Sequence, residues 1–94
     1  MIRSFRDKAL KRFWEDGDTR GIRPDWIDQV RRILDLLDAA VRPESLDVPG
    51  LKFHELRGDR KGTYAVLVSR NWRITFEWKD GEAVRVDLED YHGR

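Results

Sequence analysis

Trp72-Arg73-Ile74-Thr75-Phe76-Glu77-Trp78 is the stretch whose reading decides the fold of this chain. Every second residue is large and apolar. Successive side chains of a strand point to opposite faces, so Trp72, Ile74, Phe76 and Trp78 share one face and Arg73, Thr75 and Glu77 the other. The first face has to be covered by something apolar. The second is polar, can meet water, and presents an arginine.

The neighbouring segments supply the rest of a sheet. Downstream, Asp80-Gly81 is a strong hairpin signal, and Val84, Val86 and Leu88 then alternate with Arg85, Asp87 and Glu89. Upstream, Arg70-Asn71 reads as a tight turn, and Thr63 to Ser69 as a strand rich in β-branched and aromatic residues. Gly58-Asp59-Arg60-Lys61-Gly62 is a glycine-flanked turn, and Leu51 to Arg57 is expected to form one further strand. Ile2-Arg3-Ser4-Phe5 alternates and can begin as a short strand.

Helical periods occupy the stretch between. Asp7 suits the cap of a short helix through Leu10, Phe13 and Trp14. Residues 15–21 are turn formers. Pro24 fits a first helical turn, with Asp25 and Asp28 at the positive end of the dipole. Ile27, Val30, Leu34, Leu37 and Val41 recur at helical spacing, with Trp26 and Ile33 widening the stripe. Pro43 stops that helix. The fold class expected is α+β, with two N-terminal helices on one face of a mostly antiparallel four- to five-stranded sheet.

Ninety-four residues suffice for one domain, residues 1–94, with one modest core. There is no cysteine, hence no disulfide framework and no thiolate metal site. No segment has the apolar length of a membrane span, and the first residues lack the apolar run of a signal peptide. A cytoplasmic protein is the simplest expectation. Charged residues reach 39%, but their signs nearly cancel at +1, and four Trp, four Phe and two Tyr provide core material, which favours a folded domain over a disordered one. The charge is segregated. Residues 51–79 carry 7 basic and 3 acidic side chains, whereas residues 80–94 carry 2 and 5. A basic face on a nearly neutral protein suits a locally held polyanion. A merely solvated strand surface would show the same blocks.

The chemistry-bearing residues lie in that second half. The chain holds two histidines, His54 and His92, and the second closes an Asp90-Tyr91-His92 run. Imidazoles titrate at a pKa of about 6.5 and exchange protons near neutrality. Asp90 can orient an imidazole or accept a proton, and Tyr91 can donate a hydrogen bond or stack on a base. Arg57 and Arg73 can take a phosphate bidentately, and Arg60, Lys61 and Arg70 add further positive charge for RNA or phosphate. Together these groups are what metal-free cleavage of an RNA phosphodiester requires, namely a base, an acid and phosphate-holding cations. Each has a duller reading. A strand histidine is most often structural or exposed, Arg73 could pair with Glu77, Tyr91 could cover an apolar edge, and Arg60-Lys61 could be solvated. Two histidines with Asp90 could in principle bind a metal, but no ligand spacing supports one. No cofactor motif is present, and residues 58–62 do not form a strand-to-helix phosphate loop.

The Ile2-Arg3-Ser4-Phe5, His54-Glu55-Leu56-Arg57-Gly58-Asp59-Arg60, Asn71-Trp72-Arg73-Ile74-Thr75-Phe76 and Asp90-Tyr91-His92 blocks together resemble the HigB toxins. These belong to the RelE/ParE superfamily of bacterial toxin–antitoxin systems. The resemblance spans essentially the whole chain, and residues 7–43 contribute little to it. It implies a RelE-like fold of the microbial ribonuclease type and cleavage of mRNA in the ribosomal A site. It also implies a helix-turn-helix, HigA-like antitoxin as partner. By that resemblance the active site is His54, Arg57, Arg73, Asp90, Tyr91 and His92. The ParE branch shares the fold but inhibits gyrase without catalysis. That alternative is not expected to need the histidine pair.

Overall fold

The Asp7 side chain accepts a hydrogen bond from the Leu10 N–H at 2.8 Å and so starts the first helix, α1 (Lys8–Asp16). The chain is seen here in a computed structural model that describes residues 1–91. Gly17, at φ 70°, ends α1 in the left-handed region that a glycine enters without a Cβ penalty. Pro24–Trp26 forms a 3-10 turn, with proline where no N–H is needed, and runs into α2 (Ile27–Ala39). Val30, Ile33, Leu34 and Leu37 of α2 are fully buried.

The apolar stripe of α2 does not extend to Val41 as its spacing suggests. Ala40 is already extended and Val41 is 82% exposed. Pro43 accounts for this, because the residue before a proline is pushed out of the helical region, and Arg42 is extended at φ −159°. The extended run sets up a second 3-10 turn, Pro43–Leu46, that buries Pro43 and Leu46.

Among the described residues the sheet has four strands in the order β1 (His54–Glu55), β2 (Thr63–Ser69), β3 (Trp72–Lys79) and β4 (Glu82–Asp90), each antiparallel to its neighbour. The N-terminal segment adds a parallel edge through bridges Ile2–Ala83 and Phe5–Val86. The sheet is therefore mostly antiparallel, as expected. The strand read as Leu51 to Arg57 is cut to two paired residues. Lys52 sits at φ 50°, which breaks the extended run. This lets Leu51 turn fully into the core while its carbonyl accepts the Leu67 N–H at 2.8 Å. The turn foreseen at residues 58–62 contains a 3-10 turn, Gly58–Arg60.

Both helices pack on the face of β3 that its alternation marks as apolar. Ile74 and Phe76 are fully buried with Leu10, Val30, Leu34 and Val66 in one cluster, against which Trp72 and Trp78 pack half-buried. The Trp72 ring lies 5.2 Å from that of Trp26 at the start of α2.

One irregularity in β4 decides which of its side chains reach the open face. Lys79 pairs with Glu82 and Glu77 with Val84, but Thr75 pairs with Asp87. One extra residue has entered β4, and Arg85 in that bulge has a left-handed φ of 54°. Ala83 and Val86 are thus both buried on the helical side although they lie an odd number of positions apart. Beyond the bulge, Asp87 and Glu89 point to the open face.

Two substitutions test this framework. Asp7→Ala should lower unfolding free energy by about 1 kcal/mol, the usual worth of an N-cap, read from urea denaturation. A Cβ on Gly21 would stand 2.6 Å from the Ala9 Cβ. Gly21→Ala should therefore cost about 1–3 kcal/mol through overpacking, although alanine is otherwise a conservative change.

Candidate active site

Residues directly opposite on adjacent strands share a face, so the register fixes which groups meet on the open side. One row runs His54, Ala65, Thr75, Asp87. The next contains Leu67, Arg73 and Glu89. Arg73 thus emerges on the open face, as its place in the alternation requires. It does not pair with Glu77, which binds Arg85 at 3.0 Å instead.

The β2–β3 turn sets the geometry of Arg73. Its Nη1 donates to the carbonyls of Ser69, Trp72 and Arg70 at 3.2, 3.2 and 3.3 Å. Its guanidinium carbon lies 5.4 Å from the centroid of the Tyr91 ring, in cation–π range. Tyr91 is fixed by the same turn, since its N–H donates to the Asn71 carbonyl at 2.6 Å. A single hairpin tip therefore orients both an anion-binding fork and the aromatic ring it stacks on.

His54 is exposed at the far edge of the sheet, with Nδ1 3.0 Å from the Lys52 carbonyl oxygen. A carbonyl can only accept, so Nδ1 carries the proton in that bond, which leaves Nε2 as the nitrogen that can exchange one with a ligand. The two edge strands do not adjoin. With strands about 4.8 Å apart, His54 stands roughly 14 Å from its row-mate Asp87 in β4, so any joint action must span the open face.

The other expected site residues divide. Asp90 is exposed and lies opposite Trp72, which places it on the face of Trp72 and not on that of Arg73. Arg57, Lys61 and Arg70 are exposed. Arg57 immediately precedes the 3-10 turn, and its carbonyl accepts the Arg60 N–H at 3.3 Å. Arg60 is not a solvated turn residue. Its two terminal nitrogens meet the two carboxylate oxygens of Glu89 at 2.7 Å each. His92 lies outside the described residues. Among those described, no cluster of three or more His, Cys, Asp or Glu could hold a metal ion.

Glu89 and Thr75 are members of this site that the sequence pattern does not mark. Thr75 is buried and its hydroxyl donates to Glu89 Oε2 at 2.5 Å. Without the bulge, counting from the Lys79–Glu82 pair would place Leu88 opposite Arg73, and nothing in the pattern announces the extra residue. Glu89 is the carboxylate that binds Arg60, and Tyr91 and Asp87 act on Arg60 more weakly. Chiefly through the Glu89 hydrogen bonds, and against the opposing effect of burial, they hold its guanidinium even more firmly protonated than usual.

The helical side carries a separate hollow of about 350 Å³ lined by Arg12, Asp18, Arg20 and Gly21. Arg20 already grips the Asp18 carboxylate through two bonds of 3.0 and 2.9 Å, and these bonds hold that carboxyl well below the usual range. No helix among the described residues is long and apolar enough to cross a membrane.

Comparison with known proteins places nearly the whole chain in one family. Residues 3–92 match the family described as RelE-like toxin of type II toxin-antitoxin system HigB. The chain is 39% identical over 92 residues to Endoribonuclease HigB of Proteus vulgaris, covering 98% of this chain and 100% of that protein. It is 34% identical over 93 residues to Toxin HigB-1 of Vibrio cholerae serotype O1, covering 97% and 98% respectively. The match covers both helices and every strand, and so this chain belongs to the HigB family of RelE-like toxins from type II toxin–antitoxin systems.

Proposed function

We propose that this toxin is an endoribonuclease that cleaves mRNA in the ribosomal A site and so arrests translation in the cytoplasm. A helix-turn-helix antitoxin of the HigA kind neutralises it. The observation that carries the reading is Arg73, braced by three turn carbonyls and stacked on Tyr91 on the open face of the sheet. A guanidinium fixed in this way suits the charge that grows on a phosphate in its transition state, because it needs no reorganisation when the charge appears. The relative named Endoribonuclease HigB supports the same activity.

The reaction follows from general acid–base chemistry. The 2′-hydroxyl attacks the adjacent phosphorus as His92 or Asp90 removes its proton. The P–O5′ bond breaks, and His54 protonates the leaving oxygen. The products are a 2′,3′-cyclic phosphate and a 5′-hydroxyl. The two histidines can exchange these roles. Arg73 and Arg57 hold the phosphate, Tyr91 orients the nucleotide, and Lys61 and Arg70 add positive charge along the strand. Asp90 lies opposite Trp72, on the other face from Arg73, which makes His92 the preferred base of the two.

Three outcomes are expected. A message carrying a 2′-deoxy residue at the cut site should stay intact in a ribosome-bound cleavage assay, and cleavage of it would rule out attack by the 2′-hydroxyl. Cleavage of the all-ribose message should persist in EDTA when ribosome integrity is held constant. His54→Ala and His92→Ala should each slow cleavage by roughly 10²–10⁴-fold, the usual worth of a general acid or base, and relieve growth arrest. Arrest by His92→Gln as strong as wild type, with messages intact, would instead favour a non-catalytic, ParE-like docking on a protein target such as gyrase.

A further inference from the structure

The Arg60–Glu89 contact is a doubly hydrogen-bonded ion pair on the open face, and cleavage of the phosphodiester gives it no necessary part. Arg60 belongs to the segment between β1 and β2, and Glu89 to β4, at the opposite edge of the sheet. The pair therefore reaches across the face. Glu89 is well enclosed, with its side chain 15% exposed, and the buried Thr75 hydroxyl binds the same carboxylate from below. Such an acceptor is already filled by matched donors. The Arg60 backbone N–H in turn binds the Arg57 carbonyl, and the Lys61 N–H binds the Gly58 carbonyl at 3.1 Å. A continuous chain of contacts thus runs from the floor of the sheet to the segment that carries Arg57.

We propose that Glu89 and Arg60 are positioning residues: together they form a tether that holds the 57–62 segment down over the open face beside Arg73 and Tyr91, and Arg60 is not itself an RNA ligand. This revises one expectation from the sequence, in which Arg60 stood among the phosphate contacts. It rests on the ribonuclease reading for its activity arm alone. The two roles of Arg60 predict opposite signs. If Arg60 is a tether, removing Glu89 loosens the segment and weakens RNA capture. If Arg60 is a ligand restrained by Glu89, removing Glu89 releases a cation toward phosphate and tightens capture.

The test uses the full chain as wild type, Glu89→Gln, Arg60→Gln and the double variant. Each is assayed on ribosome-bound message and by amide hydrogen exchange at Arg60 and Lys61, after thermal melts establish that it is folded. Each single variant is expected to raise KM about tenfold, and the double variant no further, as for two residues acting through one contact. The kcat should stay within about threefold, because the groups that contact the reacting atoms remain. Exchange at Arg60 and Lys61 should quicken about tenfold through local opening. A lower KM in Glu89→Gln with a steeper salt dependence, effects that multiply in the double variant, or unaltered exchange would each overturn the tether. If Glu89→Gln does not fold, Glu89→Asp replaces it, since the shorter carboxylate keeps its charge but cannot reach Arg60 in the same bidentate fashion. If wild type cleaves no RNA, the ribonuclease reading fails, and the exchange measurement alone decides whether the tether exists.

Discussion

The side chains of Ile74 and Phe76 cannot remain in water, and the rest of the molecule is arranged around removing them. Burying each contributes about 1.5–3 kcal/mol, and both are fully enclosed. Because β3 is central in the sheet, covering one of its faces commits α1, α2 and the inner faces of β2 and β4 to the same side. That commitment leaves the opposite face to polar groups. Arg73 lies on the open face because its neighbours Trp72 and Ile74 lie on the covered one.

The open face also shows how a nearly neutral protein can brace a cation with carbonyl oxygens. Its acids are not spread evenly among its bases. Glu77 takes Arg85 and Glu89 takes Arg60, while Arg73 is braced by carbonyl oxygens and an aromatic ring. Carbonyl dipoles fix a guanidinium without cancelling its charge, as a carboxylate partner would.

Much of this was legible in the residues. The alternation of β3, the Asp80-Gly81 turn and the helical periods fix the class of fold and place Arg73 on the exposed side. The features that were not legible have local physical causes. Lys52 adopts a left-handed backbone that nothing in a lysine announces, and this shortens the strand expected from Leu51 to Arg57. Val41 continues a helical spacing that Pro43, acting through Arg42, has already ended. The site was legible as a set of reactive groups but not as an arrangement. His54 lies at one edge of the sheet and Asp90 faces the side of Trp72. Glu89 is central to the open face, although an acidic residue in a basic site carries no signal of such a role. His92 lies outside the described residues.

The inserted residue at Arg85 gives the last strand something like a reading frame. Upstream of it, position and facing are set by the hairpin, and downstream they are set by the hairpin plus one. Removing or adding a single residue between Gly81 and Glu89 would leave every side chain in the tail chemically intact and yet trade inside for outside. Leucine would then be offered to solvent, glutamate to the core, and the tyrosine would be turned away from its arginine. The length of this strand is therefore constrained as strictly as its composition is, and the loop before α2 should tolerate insertions far more readily than this one short span.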